Sequence, residues 1–215
     1  MFYSNRYDIA WFISLCDIMK IINLGITKYP IALIEMDMAH ECVANGDEEV
    51  IFITEHEALY SAGKSFEMMD FISTPQIPIY YPKRGGRVTV HSLGQLVIYP
   101  IINLIHRHLN VHAYVMGLQN WIINSLLKLN IPAQTSDLGV GVWCHDAKIG
   151  FIGIQISRGT SMHGLCLNIS NDITLFDNIV PCGIKNVEIS SICKLGYKVT
   201  TDEIIKSFIS NCPFH

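Results

Sequence analysis

Two long apolar runs, residues 148–156 and 161–169, flank Arg158-Gly159-Thr160. A short glycine-bearing turn between two strand-like runs predicts a β-hairpin. Helical patterns stand on both sides of it. Upstream, over residues 111–129, Val111, Val115, Leu118, Ile122, Leu126 and Leu129 recur at helical spacing. Downstream, Thr200 and Glu203 have the spacing of a capping box and open a last helix. Another helix is expected over residues 30–44, with Pro30 in its first turn and Asn45-Gly46 as its stop. Ile31, Ile34, Met38 and Cys42 form its apolar stripe and are expected to face the core. Residues 50–54, 79–81, 88–90, 96–102 and 138–143 are further expected strands, and Gly85-Gly86 and Gly94 mark turns. Hairpins interspersed with helices point to an α+β fold with a mixed, largely antiparallel sheet and packed helices.

Composition narrows the function classes. The chain has 215 residues, enough for one domain with a large core. Charged residues make up 16% against about 25% in an average globular protein, so extensive disorder is excluded. A net charge of −4 argues against a nucleic-acid binder that works by phosphate neutralisation. The apolar segment 9–22 carries Asp17 and Lys20, and segment 96–105 carries Pro100 and Asn103. Both fall short of the roughly 18–20 residues a membrane span needs, and no signal-like cleavage site follows the first. Seven cysteines, an odd number without a C-x-x-C pair, read as reduced thiols in a cytoplasmic protein. Met19-Lys20-Ile21-Ile22-Asn23-Leu24-Gly25 looks like a natural beginning, which divides the chain into an extension, 1–18, and a single domain, 19–215.

Three stretches can carry chemistry. Lys83-Arg84-Gly85-Gly86-Arg87-Val88-Thr89-Val90-His91-Ser92-Leu93-Gly94-Gln95 is either a turn leading into an amphipathic strand or a backbone passing close to a ligand. Thr89 and His91, two apart, share a strand face. In an unbulged strand Lys148 shares its face with Ile152, Ile154 and Ile156. If that face is buried, the ammonium is partly desolvated and the lysine becomes available as a base; otherwise Lys148 opens the strand and reaches water. Pro181-Cys182-Gly183 makes a tight turn in which Cys182 is either a buried structural thiol or a residue beside backbone N–H groups suited to an oxyanion. Gly63-Lys64-Ser65 lacks the first glycine of a phosphate loop, and His106, His108, His112, Cys144, His145 and Asp146 have no zinc spacing. No metal or cofactor is expected.

Taken together these stretches resemble the lipoyl (octanoyl) transferase family, also called lipoate-protein ligase B. Its R-G-G-x-x-T-x-H-G-P-G-Q pattern is matched by Arg84-Gly85-Gly86, Thr89, His91, Gly94 and Gln95. Its P-C-G-I turn is matched by Pro181 to Ile184, its K-I-x-x-I-G strand by Lys148, Ile149, Ile152 and Gly153, and its H-G-x-x-L-N segment by His163, Gly164, Leu167 and Asn168. Glu55, His56, Tyr60 and Gly63, and the early Tyr29-Pro30, complete blocks that follow the family order over residues 20–195.

The resemblance implies a fold related to biotin and lipoate ligases. It implies transfer of an octanoyl group from octanoyl-acyl carrier protein to a lysine of apo lipoyl domains, those of 2-oxoacid dehydrogenases and of the glycine cleavage H protein. Cys182 would carry the acyl group and Lys148 would be its base, without ATP. Arg84, Gly85, Gly86, Arg87, Val88, Thr89, Val90 and His91 would line the acyl site with Phe151, Ile152, Gly153, Gly164, Leu165 and Cys166. Two alternatives share parts of this reading: an ATP-dependent lipoate or biotin ligase, and a non-enzymatic module that binds acyl carriers or lipoyl domains. Ser92-Leu93 replaces the family's Gly-Pro, Val90 a frequent aromatic and Cys166 a frequent alanine. Ser92 is expected to pay modest strain where the family has glycine.

Overall fold

The structure is a computed structural model that describes residues 12–14, 19–180 and 187–214. In chain order the elements are β1 (Phe12–Ser14), β2 (Met19–Ile26), α1 (Tyr29–Ala44), β3 (Glu49–Glu55), β4 (Leu59–Ala62), β5 (Ile79–Tyr80), β6 (Val88–His91), β7 (Gln95–Ile101), α2 (Val111–Leu127), β8 (Gln134–Ser136), β9 (Gly139–Cys144), β10 (Ala147–Ser157), β11 (Thr160–Asn168) and α3 (Thr201–Ser210). A large sheet runs β1-β2-β3-β7-β11-β10-β9-β8, and a small one runs β5-β4-β6. Among the described strands β2–β3 and β4–β5 pair in parallel and the rest antiparallel; α1 is the crossover that parallel β2 and β3 require. The mixed, largely antiparallel α+β expectation therefore holds.

Each face of the large sheet buries its own core. On one face α2 and α3 cover it with Leu118, Trp121, Ile122, Ile204 and Phe208. On the other, α1 and the small sheet contribute Ala32, Met36, Tyr60, Val88 and Val90. Among the described residues no helix is long and apolar enough to cross a membrane. Cys42, Cys144, Cys166, Cys193 and Cys212 form no disulfide, while Cys16 and Cys182 lie outside the described residues.

The expected hairpin is β10–β11, and its turn is tighter than the sequence suggested. Ser157 pairs with Thr160, so the loop is Arg158-Gly159 alone. Both take positive φ, 51° and 77°. That is the type I′ geometry whose twist matches the flanking strands. The capping box at Thr200 is formed, with the Thr200 hydroxyl accepting from the Glu203 N–H and Glu203 accepting from the Thr200 N–H.

The expected core face of α1 is wrong. Ile31, Ile34 and Met38 are 46%, 55% and 48% exposed, and Cys42 is exposed too. The helix instead buries Tyr29, Ala32, Met36, His40 and Val43. Apolar residues surround this helix, so two stripes satisfy helical spacing. The buried one has the small Ala32, which lets the backbone lie close to the sheet, and His40, whose Nε2 contacts the Ser157 carbonyl at 3.0 Å. Strands β1, β2, β4 and β8 were not expected. In β2, Lys20, Asn23 and Gly25 break the alternation by which a half-buried strand is read. Part of the expected extension, Phe12–Ser14, pairs antiparallel with β2.

Candidate active site

The two sheets and the start of α1 enclose a cavity of about 460 Å³, a size typical of small-molecule sites. Of the expected acyl-site residues, Arg84, Gly86, Arg87, Val88, Thr89, His91, Phe151, Ile152, Gly153, Gly164, Leu165 and Cys166 line it. Gly85, Val90 and the expected base Lys148 do not. Val90 alternates away from Thr89 and His91 and is fully buried in the core beneath α1. Gly85 shapes the loop instead: its N–H donates to the Ile154 carbonyl at 2.8 Å, and its own carbonyl accepts from Arg84 Nη1 at 2.8 Å.

Close backbone approach fixes the glycine positions. A Cβ on Gly63 would lie 2.4 Å from the Gly86 carbonyl oxygen, and one on Gly164 would lie 2.3 Å from that of Ile98. The loop after β4 therefore packs against the Arg84–Gly86 turn, and β11 passes tightly by β7. Just before Gly164, His163 takes a left-handed φ of 57°. The β10–β11 register continues unbroken through His163 and Gly164, and both residues line the cavity.

The polar wall is densely bonded. Arg84 donates from Nε to the Ser61 hydroxyl at 3.0 Å and from Nη2 to the Ser61 carbonyl. The Tyr29 and Ser61 hydroxyls are 3.2 Å apart. Burial pushes the His91 imidazole down to about 3, helped by the neighbouring His56. Burial, with the Arg84 guanidinium, pushes His163 down to about 3 as well. Burial therefore favours the neutral form of both rings at ordinary pH. The Thr89 hydroxyl is buried without a hydrogen-bond partner among the described residues.

Lys148 is 1% exposed, so it does not reach water. The expectation that it shares a face with Ile152, Ile154 and Ile156 fails, because the register between β9 and β10 shifts between Lys148 and Gly150. The bulge leaves Ile149 with Ile152, Ile154 and Ile156 on the α2 side. Lys148 turns instead toward Phe151. Its Nζ lies 5.1 Å from the Phe151 ring centroid and 4.8 Å from that of Trp143, and it donates to the Val140 carbonyl at 2.8 Å. Gly141, at φ 148°, leaves room for this side chain: a Cβ there would lie 2.5 Å from Lys148 Cε.

The main chain of Lys148 is held from the other side. Its N–H donates to the Glu188 carbonyl at 2.8 Å, and its carbonyl accepts from the Ser190 N–H at 3.1 Å. That segment follows Cys182, which lies outside the described residues together with the rest of the Pro181–Ile184 block.

Sequence reasoning missed several lining residues: Tyr29, Ser65, Val97, Tyr99, Leu138, Gly139, Val140 and His163. Tyr29 and His163 sit in matched motifs, which was the available signal. Val97 and Tyr99 read only as strand residues. Leu138 and Val140, 57% and 50% exposed, stand at the open side and carry no local signature.

Comparison with known proteins places this geometry in context. The catalytic domain of the lipoyl protein ligase A/B family matches residues 30–212. An octanoyltransferase of Rickettsia massiliae is 36% identical over 177 residues, which are 79% of this chain and 84% of that protein. One of Sphingopyxis alaskensis is 36% identical over 200 residues, 90% of this chain and 91% of that protein. Among solved structures, a lipoate-protein ligase A bound with ATP superposes with a TM-score of 0.70 at 14% identity, covering 89% of this chain and 82% of its own. A biotin protein ligase from Aquifex aeolicus has a TM-score of 0.53 at 13% identity over 89% of this chain and 67% of its own. At these identities the structural likeness concerns the fold alone.

Proposed function

This chain belongs to the lipoyl protein ligase A/B catalytic family, as an octanoyltransferase, and from that premise we propose that it moves an octanoyl group from octanoyl-acyl carrier protein, through a Cys182 thioester, to a lysine of apo lipoyl domains. Those domains are the ones of 2-oxoacid dehydrogenases and of the glycine cleavage H protein, reached in the cytoplasm. The observation that supports the reading is the buried Lys148 side-chain nitrogen, held by the Val140 carbonyl beside the cavity residues Val140 and Phe151 and joined through its main chain to the segment after Cys182.

In its neutral form Lys148 takes the Cys182 proton. A free thiol of pKa about 8.5 is only a few per cent thiolate at neutral pH, so a positioned base raises the reactive fraction. The thiolate attacks the carrier thioester carbonyl, the carrier thiolate leaves, and Lys148 returns the proton to it. One thioester replaces another, so the step is close to thermoneutral and needs no ATP. In the second half-reaction the acceptor amine attacks the Cys182 thioester and loses a proton to Lys148. The proton then passes to the departing Cys182 thiolate. Amide formation is downhill and drives transfer. The apolar side chains of Val97 and Phe151, in the core on the α1 side, suit the hydrocarbon tail.

The test is intact-protein mass after mixing the purified chain with octanoyl carrier protein, followed by a chase with apo lipoyl domain, each with and without ATP. One octanoyl adduct that disappears into the lipoyl domain without ATP supports the reading. Transfer that requires ATP, or no adduct and no transfer, overturns it.

A further inference from the structure

Beneath the cavity floor a chain of hydrogen bonds fixes the protonation of one of its residues. Gln95 opens β7 and Asn168 closes β11, and the two are paired across the strands. Both side chains are fully buried. Gln95 Nε2 contacts the Val90 carbonyl at 3.1 Å and Asn168 Oδ1 at 2.8 Å. Asn168 Nδ2 contacts the Ser190 carbonyl at 3.0 Å. A backbone carbonyl only accepts, so each amide must turn its NH₂ toward its carbonyl. That leaves Gln95 Oε1 facing His91 Nδ1 at 2.7 Å. An amide oxygen also only accepts, so His91 Nδ1 carries the proton and Nε2 does not. The direction of the relay is thus set at both ends by main-chain carbonyls.

His91 lines the cavity, and its Nε2 makes no hydrogen bond among the described residues. Other polar residues of the cavity include Arg84, whose guanidinium only donates, Thr89, whose hydroxyl has no partner among the described residues and can donate or accept, and Tyr29, Tyr99 and His163. We propose that Gln95 and Asn168 are positioning residues that hold His91 as its Nδ1–H tautomer, so that Nε2 accepts a hydrogen bond from an N–H of the substrate. Two N–H groups enter during the octanoyl transfer on which this inference rests: an amide of the carrier's pantetheine arm, and the attacking amine of the acceptor lysine. No proton is transferred to His91 in either case. Burial that keeps the ring neutral suits a group that accepts without being protonated. The same relay ends on Ser190, whose N–H donates to the Lys148 carbonyl, so the acceptor and the proposed base are held by one framework.

Ring ¹⁵N NMR of the wild-type protein and of Gln95→Met reads the tautomer, and single-turnover mass measurement reads each half-reaction. The wild type is expected to show protonated Nδ1 and bare Nε2, and Gln95→Met a shift toward the other tautomer. One half-reaction should fall by about ten- to a hundredfold, the scale on which partners that orient a functional histidine act. Loss confined to acylation identifies the pantetheine amide as donor; loss confined to transfer identifies the amine. A wild-type Nε2–H tautomer overturns the proposal, as do half-reactions that are both unaffected or both lowered equally. Should Gln95→Met not fold, the wild-type Nε2 resonance decides. A shift on adding octanoyl carrier protein or apo lipoyl domain supports the proposal, and no shift with either overturns it. A chain that neither acylates nor transfers defeats the octanoyl-transfer reading, while the resting tautomer remains measurable.

Discussion

Replacing Gly141 by alanine tests whether Lys148 must stand where it does. An added Cβ would lie 2.5 Å from Lys148 Cε, 2.9 Å from its Nζ and 2.7 Å from the Gly150 carbonyl oxygen. The last is main chain within β10 and has little freedom, so the lysine tail gives way. Restoring ordinary contact at about 3.5 Å moves Cε by about 1 Å, which takes Nζ off the Val140 carbonyl it now contacts at 2.8 Å. The φ of 148° adds backbone strain for any residue with a Cβ. Overpacking of this kind costs about 1–3 kcal/mol of stability. A reacting group displaced by about 1 Å costs roughly a hundredfold in rate. Urea unfolding measures the first quantity, and single-turnover octanoyl transfer at equal folded fraction measures the second. A folded Gly141→Ala protein with the wild-type transfer rate would refute the placement of Lys148 as the base.

Cys182→Ala is expected to bind octanoyl carrier protein without becoming acylated, whereas replacing Cys144 or Cys212, whose thiols burial pushes up (Cys212 to about 11), leaves acylation intact; an adduct on Cys182→Ala removes the thioester mechanism. Lys148→Ala should lose about a hundred- to ten-thousandfold and regain rate as pH rises, while Lys148→Arg fails because a guanidinium cannot take a proton; full transfer by either at neutral pH contradicts this. Ser92 does not take a positive φ, so the strain expected there is absent, but its hydroxyl is buried without a hydrogen-bond partner among the described residues; Ser92→Gly should keep its transfer rate, and inactivity would show that the loop needs serine. His91 and His163 have folded values of about 3, below their unfolded value, so unfolding takes up protons as pH falls through about 6.5 and stability drops with it. Together they should cost about 2.5 kcal/mol between pH 6 and pH 5, with His56 adding in the same direction; urea unfolding free energies equal at the two pH values would contradict the burial of these neutral rings.

The elements with a two-ended local signal were legible in the sequence. α3 has its capping box, α2 its stripe with Leu118, Ile122 and Leu126 buried, and β10–β11 its turn. β2 was not legible, because its place in the sheet is decided by pairing with β3 through the α1 crossover. Nor was the buried face of α1. Ile31, Ile34 and Met38 outweigh Ala32 and Met36 in hydrophobic area, but a helix on a flat sheet gains more from close approach than from the larger side chains on its other face. The cavity wall divides the same way. Arg84 to His91 was readable from clustered glycines and polar residues, whereas Leu138 and Val140 enter only because β8–β9 folds over the open side.

The bulge in β10 links the readable part of the site to the unreadable part. Strict alternation would place Lys148 with Ile152, Ile154 and Ile156, against α2 and away from the cavity. The register shift between Lys148 and Gly150 moves one residue across the sheet. Because Lys148 stands an even number of residues from Ile152, Ile154 and Ile156, this sequence cannot put the lysine and the isoleucines on opposite faces at period two. One extra residue reconciles them, and it re-aims a single side chain without moving the hairpin. Lys148 itself stays opposite Trp143 of β9, and on its other edge, beyond the end of the β11 pairing, its N–H and carbonyl bond Glu188 and Ser190. Those partners belong to the segment that follows Cys182. The strand that carries the proposed base is thus tied, through the Lys148 main chain, to the segment that follows the proposed nucleophile.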